Sequence, residues 1–180
     1  MIDQKFKRNK EINKTIKLNI KRRTVIVDDQ LVSYENVPVP SWIELSIIDV
    51  CNRSCSFCPK SDPKVAPDTY QRMSMGLIEK LTNELKEMNF KGSVTLCGYG
   101  EPLLHKEVYD ITKKLAEASF VEIVTNGDTL NAKKINQLYN SNANKILISM
   151  YDGPEQVSKF KSMTEEADVP ADFVILRLLV

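Results

Sequence analysis

Three cysteines, Cys51, Cys55 and Cys58, fall within eight residues, separated by Asn52-Arg53-Ser54 and by Ser56-Phe57. Thiolates are soft ligands that select zinc or iron–sulfur clusters, and this spacing lets one loop wrap a metal centre. A structural zinc wants four protein ligands, and Cys97 is the remaining cysteine. One reading is therefore a non-catalytic zinc-binding or interaction domain built on Cys51, Cys55, Cys58 and Cys97. The other is a cubane cluster held by three cysteines, which leaves one iron open to an exogenous ligand. Cys97 has no second cysteine paired with it and runs into a glycine-rich turn, which favours the cluster. The tight grouping of three thiols also argues for metal or catalytic duty over two disulfides.

Three further segments carry polar or glycine-rich chemistry. Cys97 is followed by Gly98-Tyr99-Gly100-Glu101-Pro102-Leu103; Thr125-Asn126-Gly127 comes next, then Ser149-Met150-Tyr151-Asp152-Gly153. Each alone reads as turn chemistry, since Asn-Gly and Asp-Gly are ordinary turn dipeptides. Glycines at a strand end also let the backbone approach a ligand closely. His105, the one histidine, reads as helix-start packing, and Arg177 faces either an active-site carboxylate or solvent.

Positioning these groups requires a regular framework, and the hydrophobic pattern supplies one. Strands are expected over 42–50, 93–97, 121–125, 145–150 and 173–180, with helices over 76–88, 106–118, 131–139 and 155–163. In the first helix Leu77, Ile78, Leu81, Leu85 and Met88 recur at spacings of three and four, one apolar stripe for a sheet. The strands are short apolar runs, as where both faces are covered. Strict alternation implies a parallel sheet with right-handed crossovers. The first two strand starts lie 51 residues apart and the later ones 28, 24 and 28. That difference leaves a long loop, holding the three cysteines, at the carboxyl end of the first strand, where α/β sheets place their active sites.

With the framework in place, Cys-x3-Cys-x2-Cys with the aromatic Phe57 before its third cysteine resembles the signature of the radical S-adenosylmethionine superfamily. The Gly98-Tyr99-Gly100-Glu101-Pro102 turn is similar to that family's Gly-Gly-Glu-Pro segment, with Tyr99 at a position where only backbone is needed. The resemblance runs over about 43–180, its motifs standing at four successive strand ends in the expected order. It implies a partial parallel (β/α) TIM-type barrel and a [4Fe-4S] cluster on Cys51, Cys55 and Cys58. It also implies S-adenosylmethionine on the open iron, cleaved reductively to a 5'-deoxyadenosyl radical that abstracts hydrogen from a substrate. Phe57, Gly98, Tyr99, Gly100, Glu101, Pro102, Thr125, Asn126 and Ser149 are the positions implied for the cofactor, Glu101 as an acceptor for the methionine ammonium. A flavodoxin- or ferredoxin-like electron donor is the implied partner. The Cys-Asn-Arg-Ser-Cys and Gly-Glu-Pro-Leu-Leu-His wording is most similar to enzymes with a SPASM or twitch extension, which points to a peptide or another small molecule as substrate.

Composition bounds the rest. The 42% hydrophobic and 27% charged residues are those of an ordinary globular protein. No apolar run reaches the roughly 20 residues of a membrane helix, and the polar start lacks a secretory signal, so a cytoplasmic location is expected. The first 23 residues carry a net charge of +7 and the remainder −6, read as a solvated basic terminus, with nucleic acid or another acidic partner as the alternative. Thr24–Val27 and Gln30–Tyr34 are expected to pair around Asp28-Asp29, with a linker over 36–41. The domain division is then an arm and hairpin over 1–41 and a core over 42–180. The apolar end at Leu178-Leu179-Val180 is expected to mark a carboxyl-terminally truncated or accessory chain, or a barrel completed by a second chain, which would leave Phe173, Ile175 and Leu179 exposed.

Overall fold

In the computed structural model of the chain, which describes residues 33–179, a short hairpin comes first. Its strands, β1 (Ser33–Tyr34) and β2 (Val37–Pro38), pair antiparallel. Between them Glu35 and Asn36 have φ of 49° and 66°, the left-handed pair that a two-residue hairpin turn requires and that asparagine tolerates well. The observed strand pair falls partly in the stretch assigned to the linker; the expected pairing of Thr24–Val27 around Asp28-Asp29 lies outside the described residues. Tyr34 Oη donates to Glu87 Oε1 at 2.9 Å, tying the hairpin to the main fold.

The main fold alternates as its hydrophobic pattern dictates: β3 (Trp42–Leu45), α1 (Met75–Glu87), β4 (Ser93–Leu96), α2 (Val108–Leu115), β5 (Phe120–Thr125), α3 (Ala132–Asn140), β6 (Lys145–Met150), α4 (Gln156–Glu166) and β7 (Val174–Leu178). The five strands form one parallel sheet in the order β3-β4-β5-β6-β7. Because each strand pairs with the next in sequence, same-handed crossovers put all four helices on one face, and neighbouring helices pack together. This is a run of consecutive barrel units.

Alternation along the strands divides the sheet into two unlike faces. Val94 lies beside Val121, Leu96 beside Ile123, and Ile123 beside Ile146. These side chains are fully buried against the helices, each contributing about 1.5–3 kcal/mol by burial. The opposite face carries Glu44, Thr95, Glu122 and Lys145 in one register row.

Local sequence explains the helix limits. Ser74 Oγ accepts from Leu77 N–H and Asn131 Oδ1 from Lys134 N–H, capping α1 and α3. In α1 the buried stripe is Ile78, Thr82 and Leu85, whereas Leu77, expected on it, is 47% exposed. Thr82 serves there because its hydroxyl bonds back to Ile78 O at 2.8 Å. α2 begins later than expected because His105 Nδ1 takes the N–H of Glu107.

The first strand is shorter than expected for a reason that bears on the site. Its ladder with β4 stops at Leu45, and the chain then pairs with the far end of its own long loop. Met73 N–H donates to Ile47 O at 2.9 Å, Asp49 N–H donates to Gln71 O at 3.3 Å, and Ile48 bridges Arg72. The cysteine loop thus leaves and returns beside one strand end. At the other edge, Phe173 is buried in a T-shaped contact with Tyr139, centroids 5.1 Å apart, while Ile175 and Leu179 are half-buried. Among the described residues no helix is long and apolar enough to cross a membrane.

Candidate active site

A cavity of about 290 Å³ opens at the carboxyl ends of the parallel strands. Cys51, Cys55 and Cys58 line it from the long loop, Cys97 to Glu101 from the end of β4, Val124 to Asn126 from the end of β5, and Tyr151 from the end of β6. Residues far apart in sequence meet here only because parallel strands all finish on the same side.

Of the implied cofactor positions, Phe57, Gly98, Tyr99, Gly100, Glu101, Thr125 and Asn126 line the cavity, and Pro102 and Ser149 do not. Pro102 is buried at the start of a 3-10 turn, Pro102–Leu104. Ser149 is also buried, its Oγ accepting from an Arg177 guanidinium nitrogen at 2.7 Å. Phe57 is 70% exposed. It stands 5.5 Å from the Tyr151 ring and forms a rim to the cavity, not a buried shield.

The glycines also have a reason internal to the fold. A Cβ on Gly100 would lie 2.0 Å from Ile48 O, and one on Gly98, whose φ is +127°, would lie 2.5 Å from Ser46 Oγ. The extension of β3 already fills that space, and Glu101 N–H donates to Val50 O at 2.9 Å across the same contact. The turn is thin because protein backbone crosses it.

Glu101 is 3% exposed and its carboxylate is used internally. Oε1 accepts from Thr125 Oγ1 at 2.7 Å and from Leu103 N–H at 3.1 Å, and Oε2 accepts from Asn126 N–H at 2.9 Å. The residue implied as acceptor for the ammonium lines the cavity and is at the same time a staple joining the ends of β4 and β5. Burial pushes its pKa above the ordinary carboxylate range, and these three donors partly offset that shift.

No residue from 50 to 69 is buried, so polar ties hold the cysteine loop. Asp49 accepts from the Thr69 hydroxyl and, at 2.7 Å, from Thr69 N–H. Lys60 pairs with Asp68 at 2.5 Å. Asn126 Nδ2 donates to Asn52 Oδ1 at 2.8 Å. Arg53 reaches both Asp128, just beyond β5, and Asp152, just beyond β6, at 2.6 Å each. Sequence reasoning missed Arg53, Asp128, Asp152 and Tyr151 as a group. The available signal was an arginine inside the cysteine motif and an aspartate two or three residues past two successive strand ends.

The donor set fits a cluster held by three thiols. Cys51, Cys55 and Cys58 come from one loop and line one cavity, the three-thiol set that leaves one iron of a cubane open. Burial pushes the Cys51 and Cys55 thiols above their usual range; a backbone N–H from Arg53 opposes this at Cys51 and the Arg53 charge at Cys55. Deprotonation then accompanies metal binding. His105 is the packing residue expected: its Nε2–H donates to Met73 O at 3.1 Å while Nδ1 accepts from Glu107 N–H.

A parallel sheet ending in a cysteine-lined cavity defines a cluster-binding barrel, and the sequence fits a known family of that class. Residues 45–167 match the family model of the radical SAM superfamily, and the chain belongs to that family. Its cofactors are a [4Fe-4S] cluster and S-adenosylmethionine. The chain is 30% identical over 129 residues to the S-adenosyl-L-methionine-dependent 2-deoxy-scyllo-inosamine dehydrogenase of Niallia circulans, an alignment covering 70% of this chain and 50% of that protein. It is 33% identical over 113 residues to the GTP 3',8-cyclase of Limosilactobacillus fermentum, covering 61% of this chain and 33% of that one. Among solved structures, BtrN in complex with AdoMet and 2-DOIA superposes with a TM-score of 0.67 at 25% identity, covering 78% of this chain and 57% of that one. The chain therefore spans about half the length of the dehydrogenase it matches.

Proposed function

We propose that this chain is a radical S-adenosylmethionine enzyme whose cluster is held by Cys51, Cys55 and Cys58 and whose cofactor sits against the ends of β4 and β5. The observation that carries this reading is that three loop thiols line one cavity with Gly98–Glu101, Thr125 and Asn126. When bound, cluster and cofactor supply a 5'-deoxyadenosyl radical for hydrogen abstraction, given one electron from a flavodoxin- or ferredoxin-like donor. The chain's own residues bind and orient. Glu101 fixes the two strand ends relative to each other, which leaves the backbone of Gly98 and Tyr99 for the cofactor. Phe57 and Tyr151 form an aromatic rim that limits water. Pro102 closes the turn behind the site, and Ser149 acts through Arg177.

In this reading residues 42–180 are the catalytic core, 1–41 an appended arm and hairpin, and the enzyme works in the cytoplasm. The Cys-Asn-Arg-Ser-Cys and Gly-Glu-Pro-Leu-Leu-His wording supports a place among enzymes with a SPASM or twitch extension. For the substrate we favour a small polar molecule over a peptide. Two relatives are named for an inosamine and for GTP. Glu122, Ser149 and Arg177 also share the sheet face of Val124, which lines the cavity. Chromatography for 5'-deoxyadenosine after anaerobic reconstitution and dithionite reduction tests the proposal. Release of that product supports it, and intact S-adenosylmethionine from a cluster-loaded chain contradicts it.

A further inference from the structure

The cysteine loop buries no residue between 51 and 69, yet it must hold three sulfurs in fixed relation to the cavity. Loops without buried contacts open easily. One side chain answers that need. Arg53 stands midway between Cys51 and Cys55, and its guanidinium makes four hydrogen bonds to two carboxylates on different strand ends. Nε and one terminal nitrogen donate to Asp128 at 2.6 Å each; the terminal nitrogens donate to Asp152 at 2.8 and 2.6 Å. The Tyr151 ring lies 5.4 Å from the guanidinium carbon. The Arg53 side chain is 17% exposed, far less than most of its loop.

Two further details link this contact to the sulfurs. The backbone N–H of Arg53 donates to Cys51 Sγ at 3.5 Å, so the residue that grips the strands also touches the first thiol. Asn52, its neighbour, donates to Asp128 Oδ2 at 3.2 Å, adding to the same anchor. The charges agree with this placement: Asp128 and Asp152 both act on Cys55, and the Arg53 guanidinium that bridges them opposes their effect there. A planar fork can serve two carboxylates at once, which a lysine ammonium cannot do with the same geometry.

We propose that Arg53 is the positioning residue of the cysteine loop: spread across Asp128 and Asp152, it holds the segment between Cys51 and Cys55 on the ends of β5 and β6 and so sets where the three sulfurs stand. The use made of those sulfurs rests on the cluster reading above; the fixing of the loop does not.

Amide hydrogen exchange on the metal-free 180-residue chain tests the fixing directly. Arg53→Gln is expected to speed exchange of peptides covering 51–58 by about tenfold while α2 and α3 peptides stay unchanged. Asp128→Asn/Asp152→Asn should do at least as much, since Asp128 also accepts from Asn52, and adding Arg53→Gln to that pair should add nothing further. Arg53→Lys, which keeps the charge and loses the fork, should recover only part of the protection. Equal exchange in wild type and Arg53→Gln would overturn the proposal, as would full protection in Arg53→Lys or additive effects in the triple variant. A second readout follows loading with iron and sulfide: Arg53→Gln is expected to lose iron severalfold faster on gel filtration. Failure of the wild type to take up iron would instead sink the cluster reading, with the exchange comparison still decisive for the loop.

Discussion

Glu101 Oε2 accepts the backbone N–H of Asn126 at 2.9 Å, joining the turn after β4 to the turn after β5 beneath the cavity. A glutamine there offers one acceptor oxygen to donors that now engage two, and turns its amide nitrogen toward an N–H. Glu101→Gln is therefore expected to lower stability by about 1–3 kcal/mol. Urea unfolding checks this; a midpoint equal to the wild type's would show that the staple is unimportant.

Gly100→Ala tests the reason for the glycine turn. The added methyl would meet Ile48 O at 2.0 Å, so the strand extension must shift and stability should fall by roughly 1–3 kcal/mol. If the glycine mattered only for approach of a ligand, the variant would unfold like the wild type and lose S-adenosylmethionine binding alone.

His105 makes stability depend on pH with a sign fixed by its contacts. Burial holds its pKa below the ordinary value of about 6.5, and protonating Nδ1 would set a donor against Glu107 N–H. The unfolded chain takes up the proton first, so this contribution is full above about pH 6.5 and is lost progressively as pH falls below that value toward the lowered folded-state pKa. Thermal unfolding between pH 5 and 7.5 should show a declining midpoint on acidification. The profile of His105→Gln should decline less over that interval than the wild type's, and an equal decline in the variant would assign the slope to other groups.

Cys97 lines the same cavity as the three loop thiols, so it distinguishes a three-cysteine cluster from a four-cysteine zinc site. Cys97→Ser is expected to retain its iron after anaerobic loading and to bind no stoichiometric zinc. Elemental analysis showing zinc in the wild type and none in Cys97→Ser would favour the zinc domain.

Much of this was legible because the chemistry is local. Cysteine spacing on one loop, apolar spacing in α1 and short apolar runs in the strands each report a neighbourhood of a few residues. What escaped was set by long-range meeting. Arg53 is 75 residues from Asp128 and 99 from Asp152, and nothing local marks them as partners. Nothing local to Glu101 shows that β5 delivers Thr125 and Asn126 to its carboxylate. The turn at Glu35-Asn36 escaped because Glu35, at φ 49°, is a residue that seldom marks a left-handed turn.

The central claim is that Cys51, Cys55 and Cys58 hold an iron–sulfur cubane. Anaerobic reconstitution followed by iron and acid-labile sulfide analysis tests it most directly. The expected result is about four irons and four sulfides per chain, and none in the Cys51→Ala/Cys55→Ala/Cys58→Ala variant. A wild-type chain that takes up no cluster, or a triple variant that takes up as much as the wild type, would contradict it.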